Sequence, residues 1–175
     1  MAETGSEYLY NLSIIAITFS AVSALVMLMR QTMGGKLSNF DVYLITSYIS
    51  FGFTLSLMAV LPPLIALFEL PHAAHWSVAS GIAGILLGVV LAKIFRLRRL
   101  VSSAKMPIGV KIALGIHLFS VIALLANAAG WPWQGVHLFA GAITLSVADI
   151  MWTFVRRISS LFGDKPGEDW DPKRG

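Results

Sequence analysis

Asp149 is the one acidic residue that falls inside an apolar run away from its ends, about two turns before Arg156. A carboxylate in hydrocarbon is costly, so it must point toward a protein interior. At helical spacing Ser146, Asp149, Thr153 and Arg156 share one face, a polar stripe that descends to a basic end. Such a stripe has the chemistry of a proton or ion path, and equally that of a structural ion pair, for which Lys93 and Arg30 are the candidate partners. His117 lies near the middle of another apolar run, with Ser120 and Asn127 on the same side. A buried neutral imidazole bonded to a neighbouring helix and a proton relay both fit that placement. Haem ligation would need a second axial ligand, and His137 sits about 10 Å higher at ~1.5 Å per residue, too far for one iron. Glu69, His72 and His75 recur every third residue, and His137 falls at the same end of the chain's runs. Carboxylate plus imidazoles can hold zinc or copper, yet Pro71 interrupts the spacing and Trp76 marks a headgroup-level segment where histidine is ordinary. No metal centre and no cofactor is therefore assigned, and a redox or metal-binding protein remains only a remote alternative.

Other positions carry packing rather than chemistry. Ser80, Gly84, Gly88 and Ala92 recur at intervals of four with Gly81 beside them, which leaves one helix face nearly free of side chains for a neighbouring backbone. Ala16, Ser20 and Ala24 form a second such face, and the two are candidate mates. Thr46, Ser50 and Thr54 make a hydroxyl stripe, read as bonding to its own helix backbone.

The elements that must position these residues follow from composition. Of 175 residues 57% are hydrophobic and 13% charged, and the mean hydropathy is +0.76, well above the apolar share of ordinary soluble domains. Polar residues crowd into short segments, so no separate soluble domain fits. Runs of roughly 20 apolar residues cross a ~30 Å hydrocarbon core, and the chain supplies five of them, at about 8–29, 42–68, 74–95, 108–128 and 136–155. The second is expected to run to Pro62-Pro63 and continue as a short bent or interfacial piece. The fold class is thus all-α, an integral membrane bundle over residues 1–158, followed by a cytoplasmic, disordered tail, 159–175. Arg30 and Lys36, the cluster from Lys93 to Lys111, and the tail place every Lys and Arg on one side of the bilayer, while the other side carries Trp76, Trp131 and Trp133. That pattern puts the N-terminus outside and the C-terminus in the cytoplasm. The net charge of +4 is a topology signal and not a nucleic-acid footprint. Without Cys there is no disulfide, thiolate metal site or cysteine nucleophile.

Gly34-Gly35-Lys36 is too short to cradle a phosphate, and neither H-E-x-x-H nor G-x-S-x-G occurs. Five spans also do not divide into two inverted halves. The run Tyr8-Leu9-Tyr10-Asn11 through Arg30-Gln31-Thr32-Met33-Gly34-Gly35-Lys36-Leu37-Ser38, followed by Asp41, resembles small polytopic bacterial inner-membrane proteins of unassigned function. The resemblance covers the first two spans and implies a bacterial cell inner membrane, with no catalytic residue to carry over. The leading expectation is a non-enzymatic helix-packing or accessory component of a membrane assembly, partnered by the lipid bilayer and by copies of itself or a larger complex. The alternative is a small homo-oligomeric channel or transporter built on the Asp149 stripe.

Overall fold

A computed structural model describes residues 2–32, 39–68, 70–101, 108–130 and 135–162, and within its helices the side chains of residues 2–4, 27, 30, 40, 41, 72, 73 and 157–162 lie outside the description. The protein is all-helical: α1 (Ala2–Thr32), α2 (Asn39–Ala66), α3 (His72–Val101), α4 (Ile108–Ala128) and α5 (Val136–Phe162). All five are long and apolar enough to cross a membrane, the architecture of a multi-pass membrane protein. Large apolar side chains such as Ile85, Val89, Phe119, Ile122 and Trp152 point away from the bundle, as lipid-facing residues do.

Three helices overrun the apolar runs that announced them. α1 starts at Ala2, α3 continues through Arg96, Arg98 and Arg99 to Val101, and α5 passes Arg156 and Arg157 to reach Phe162. Arginine ends hydrophobicity but not helicity, being a good helix former. The first stretch of the anticipated tail, 159–162, is therefore helix, and 163–175 lies outside the described residues.

A second difference concerns the prolines. α2 does not stop at Pro62-Pro63 but carries both inside it and ends one turn later at Ala66. The two rings remove the donors that the carbonyls of Met58 and Ala59 would have used, a loss that surrounding helices can make tolerable in a bundle. Tighter bonds close the end, from Leu67 N to the Leu64 carbonyl (3.3 Å) and from Phe68 N to the Ile65 carbonyl (3.0 Å). His75 Nε2 donates to the Pro62 carbonyl at 2.7 Å and so pins the start of α3 against the end of α2.

Consecutive helices pack side by side, and α5 is the element that touches all four others. The α1–α2 seam is drawn close by small residues. Ser13 Oγ and Ser56 Oγ lie 2.7 Å apart, and one turn further a Cβ on Gly52 would overlap Ser20 Oγ and come within 2.9 Å of the Ala16 carbonyl oxygen. The small face of α1 thus meets Gly52 of α2. It does not mate with the small face of α3: among the described residues the backbones of α1 and α3 do not come together. That α3 face instead receives α4: Gly81 faces Ala128, Gly84 faces Leu125 and Leu124, and Gly88 faces Val121. At the center of α1, α2 and α5, the rings of Phe19, Tyr48 and Phe154 meet edge to face, with centroids 4.9 to 6.2 Å apart, an arrangement favoured by the ring quadrupoles.

Asn127, 1% exposed, locks the turn between α4 and α5. Its Nδ2 donates to Ser80 Oγ (2.7 Å) and to the Gly135 carbonyl (3.2 Å), while its Oδ1 accepts from Gly135 N (3.0 Å). Gly135 has φ +125°, a backbone that residues with side chains rarely adopt. Asn127→Ala strands Ser80 and both Gly135 groups, so unfolding in mixed micelles should show a loss of about 2 kcal/mol. Ser80→Ala, which leaves the Gly135 bonds in place, should cost less than half of that. Equal losses would show that the Gly135 bonds contribute nothing.

Candidate functional site: a buried histidine–aspartate pair

Two buried ionisable side chains, one on α4 and one on α5, meet. His117 Nε2 lies 3.4 Å from Asp149 Oδ2, with both side chains at 6% exposure or less. That separation is within ion-pair range, but the contact lacks the alignment of a hydrogen bond, and Oδ2 has no hydrogen-bond partner among the described residues. Phe51 of α2 stacks on the imidazole, centroid to centroid 4.3 Å with planes 20° apart. Three helices therefore build the site: α4 gives the base, α5 the acid and α2 an apolar wall.

Depth explains why these residues find one another. α4 and α5 are antiparallel neighbours joined by a short turn. His117 is 117 − 108 = 9 residues from the start of the α4 span, and Asp149 is 156 − 149 = 7 residues from the end of the α5 span. At ~1.5 Å per residue these are ~13.5 and ~10.5 Å from the same end of the bundle. Phe51, 51 − 42 = 9 residues into the α2 span, arrives at the same level.

The surroundings of the pair differ in its two directions. Toward the basic end α4 presents little side chain, at Ala113 and Gly109, and α5 presents Thr153 and Arg156. Arg156 is close enough that a Cβ on Gly109 would lie 3.5 Å from its Nη1. Along this α5 stripe burial falls from Asp149, buried, through Thr153, half-buried, to Arg156, exposed. Thr153 Oγ1 donates to the carbonyls of Asp149 and Ile150, 3.0 Å each. Toward the other end the pair is followed first by Ser120 and Ser146 and then by Leu124, Ile143 and Phe139, all five fully buried. Trp76 and His75 stack beyond them, the indole also meeting Phe139 at 5.7 Å.

The other residues singled out from the sequence lie as follows. Lys93 is exposed on α3, and Asp149 is paired with His117 rather than with Lys93; the Arg30 side chain lies outside the described residues. Ser80, Gly84 and Gly88 are in the α3–α4 seam, whereas Ala92 is exposed. Of the four possible metal ligands, Glu69 and the His72 side chain lie outside the described residues, and His75 is engaged by Pro62. His137 borders an open groove of about 780 Å³ between α1 and α5, beside the Tyr8–Thr144 hydroxyl contact of 2.6 Å. Twelve residues of α5, 149 − 137, separate exposed His137 from Asp149, the partner of His117, or ~18 Å, so His137 and His117 are not brought together. Among the described residues no three His, Cys, Asp or Glu side chains cluster as metal ligands. Thr54 of the α2 stripe bonds the Ser50 carbonyl at 2.8 Å. Phe51 had no distinguishing signal, being one aromatic among many apolar neighbours.

No protein-family model, no curated protein and no solved structure matches the chain. The likeness of its first two spans to small bacterial inner-membrane proteins therefore has no counterpart among these comparisons, and the site's chemistry has to carry the functional reading.

Proposed function

We propose that this protein is a small proton-handling channel or transporter, in which the His117–Asp149 pair takes up and releases a proton inside the bilayer. The carrying observation is the 3.4 Å contact between two buried ionisable side chains at mid-membrane depth, where ionisable groups are expensive and mark ion or proton pathways. When carboxylate and neutral imidazole gain one proton, the pair passes from net charge −1 to 0, whichever of the two groups holds it. Loss of that proton reverses the change.

Exchange takes place toward the basic end, along Thr153 and Arg156 and past the small residues Ala113 and Gly109. The excess of Lys and Arg at this end supports a cytoplasmic location for it. Toward the opposite end Leu124, Ile143 and Phe139 close the α4–α5 interior, so net transfer requires that plug to part. Of the other described titratable or charged groups on these helices, Tyr43 and Tyr48 on α2, Lys93, Arg96, Arg98 and Arg99 on α3, Lys111 on α4 and Arg156 on α5 are set toward the basic end, and Glu7, Tyr8 and Tyr10 on α1, His75 on α3 and His137 on α5 toward the opposite one. The accessory-component reading drew on the α3 face of small residues. With that face filled by α4 of the same chain, the polar pair is the feature with an unexplained cost.

The test is proton entry into proteoliposomes holding a pH-sensitive dye, driven by an imposed potassium diffusion potential. Wild-type protein should acidify the lumen well above protein-free vesicles, and Asp149→Asn should fall to their level. Identical entry with wild-type and Asp149→Asn, or none with wild-type, defeats the proposal.

A further inference from the structure

Three buried serines of α1 and α2 satisfy themselves. Ser20 donates to the Ala16 carbonyl, Ser23 to Phe19 and Ser47 to Tyr43, each four residues back at 2.7 to 3.1 Å, the default for a hydroxyl in an apolar helix. Ser120 and Ser146 forgo the same option with Ile116 and Ala142, and neither Oγ has a hydrogen-bond partner among the described residues. Both are 0% exposed. His117 Nδ1 and Asp149 Oδ2, on residues 3% and 8% exposed, share that condition. Buried polar atoms in native proteins nearly always have a partner, whether protein or ordered water.

The four atoms form one register. α4 and α5 run antiparallel, Ser120 follows His117 by three residues and Ser146 precedes Asp149 by three, so both serines lie on the same side of the pair, ~4.5 Å further along the seam. Two buried hydroxyls at one level of the α4–α5 seam, bonded neither to their own helices nor to any other described group, point to a shared third party. The set mixes roles: the hydroxyls give or accept, the carboxylate oxygen accepts, and Nδ1 does either according to where the imidazole proton sits. Water matches such a set, making about three hydrogen bonds to otherwise unsatisfied buried groups.

We infer that Ser120 and Ser146, with His117 and Asp149 beneath them, form an internal water-binding site between α4 and α5, on the order of one or two molecules sealed from the far end by Leu124 and Ile143. The site stands on the four buried, unpartnered polar atoms and holds whether or not the pair moves protons. Hydration also gives Nδ1 an exchange partner on the plugged side, distinct from the Thr153 side.

Water-to-protein magnetisation transfer, measured by solid-state NMR on the full chain in lipid bilayers, tests this without reference to transport. Transfer to the Ser120 and Ser146 side chains should build up several-fold faster than to Leu124 and Ile143, one turn further along the same seam. Serines that build up no faster than those two residues overturn the inference in the wild-type protein itself. Ser146→Val, which fills the space with apolar atoms, should slow transfer to Ser120 down to the Leu124 rate, with the Asn127 and Gly135 resonances reporting that the α4–α5 turn is intact. An unchanged Ser120 rate in that folded variant counts equally against the site.

Discussion

His117→Leu should destabilise the bundle by about 3–5 kcal/mol, the range for removing one member of a buried charged pair, while His117→Leu/Asp149→Val should recover most of that loss. The single change leaves the Asp149 carboxyl buried without the one ionisable contact it has among the described residues. The double change strands neither member of the pair and replaces both with apolar side chains of similar size. Replacing a buried pair by apolar residues is often neutral or favourable for the same reason. Asp149→Asn is the milder single change, about 1 kcal/mol, because an amide of the same shape can still meet the imidazole. Reversible unfolding in bilayers or mixed micelles gives all four corners of the cycle for the Leu and Val changes. A coupling energy near zero would mean that the 3.4 Å contact does not join the residues energetically. Strong coupling in stability together with lost proton entry in Asp149→Asn is the combination expected of a pair maintained for its chemistry at a cost in stability.

That pair shows where the sequence was legible and where it was not. The five helices follow from apolar runs long enough to span hydrocarbon, because in lipid the backbone has no alternative but to satisfy itself. Helix ends were harder, since Arg96 to Arg99 and Arg156 to Arg157 stop the apolar pattern without stopping the helix. Pro62 and Pro63 misled in the opposite sense: with a single turn left to run, α2 tolerates them. The two halves of the site were each visible, His117 with Ser120 and Asn127 on one helix face and Ser146 with Asp149 and Thr153 on another. Joining them required counting residues from a common membrane face along two antiparallel helices, an operation that places both near one depth, whereas charge complementarity alone directs attention to Lys93. The small faces were legible as packing surfaces, but their mates were not. Gly52, a lone glycine in a run of larger residues, carried no repeating pattern to announce that it is where α1 and α2 come closest.

Gly52→Val should be among the most disruptive single substitutions in the protein, costing about 3 kcal/mol or slightly more, at the upper end of the range for overpacking a tight interior. A Cβ there would overlap Ser20 Oγ and lie 2.9 Å from the Ala16 carbonyl oxygen. Ser20 can rotate away, at the expense of its bond to that carbonyl, but the Ala16 backbone cannot. Ser20→Gly added to Gly52→Val should therefore restore only part of the stability. Gly115→Ala and Gly141→Ala supply the contrast: a Cβ at either meets nothing within 4 Å, so the general preference of helices for Ala over Gly, up to about 1 kcal/mol, sets the sign and both should be neutral or stabilising. The strain at Gly52 also has a route to the site. Its neighbour Phe51 stacks on His117, and Tyr48, one turn earlier, packs on Phe19 of α1 and Phe154 of α5. Forcing α1 from α2 shifts the segment that carries both contacts, so a Gly52→Ala protein that still folds should show weaker proton entry although no ionisable group has changed. Full proton entry in a destabilised Gly52→Ala protein would mean instead that the Phe51 wall moves independently of the α1–α2 seam and that α4 and α5 alone define the site.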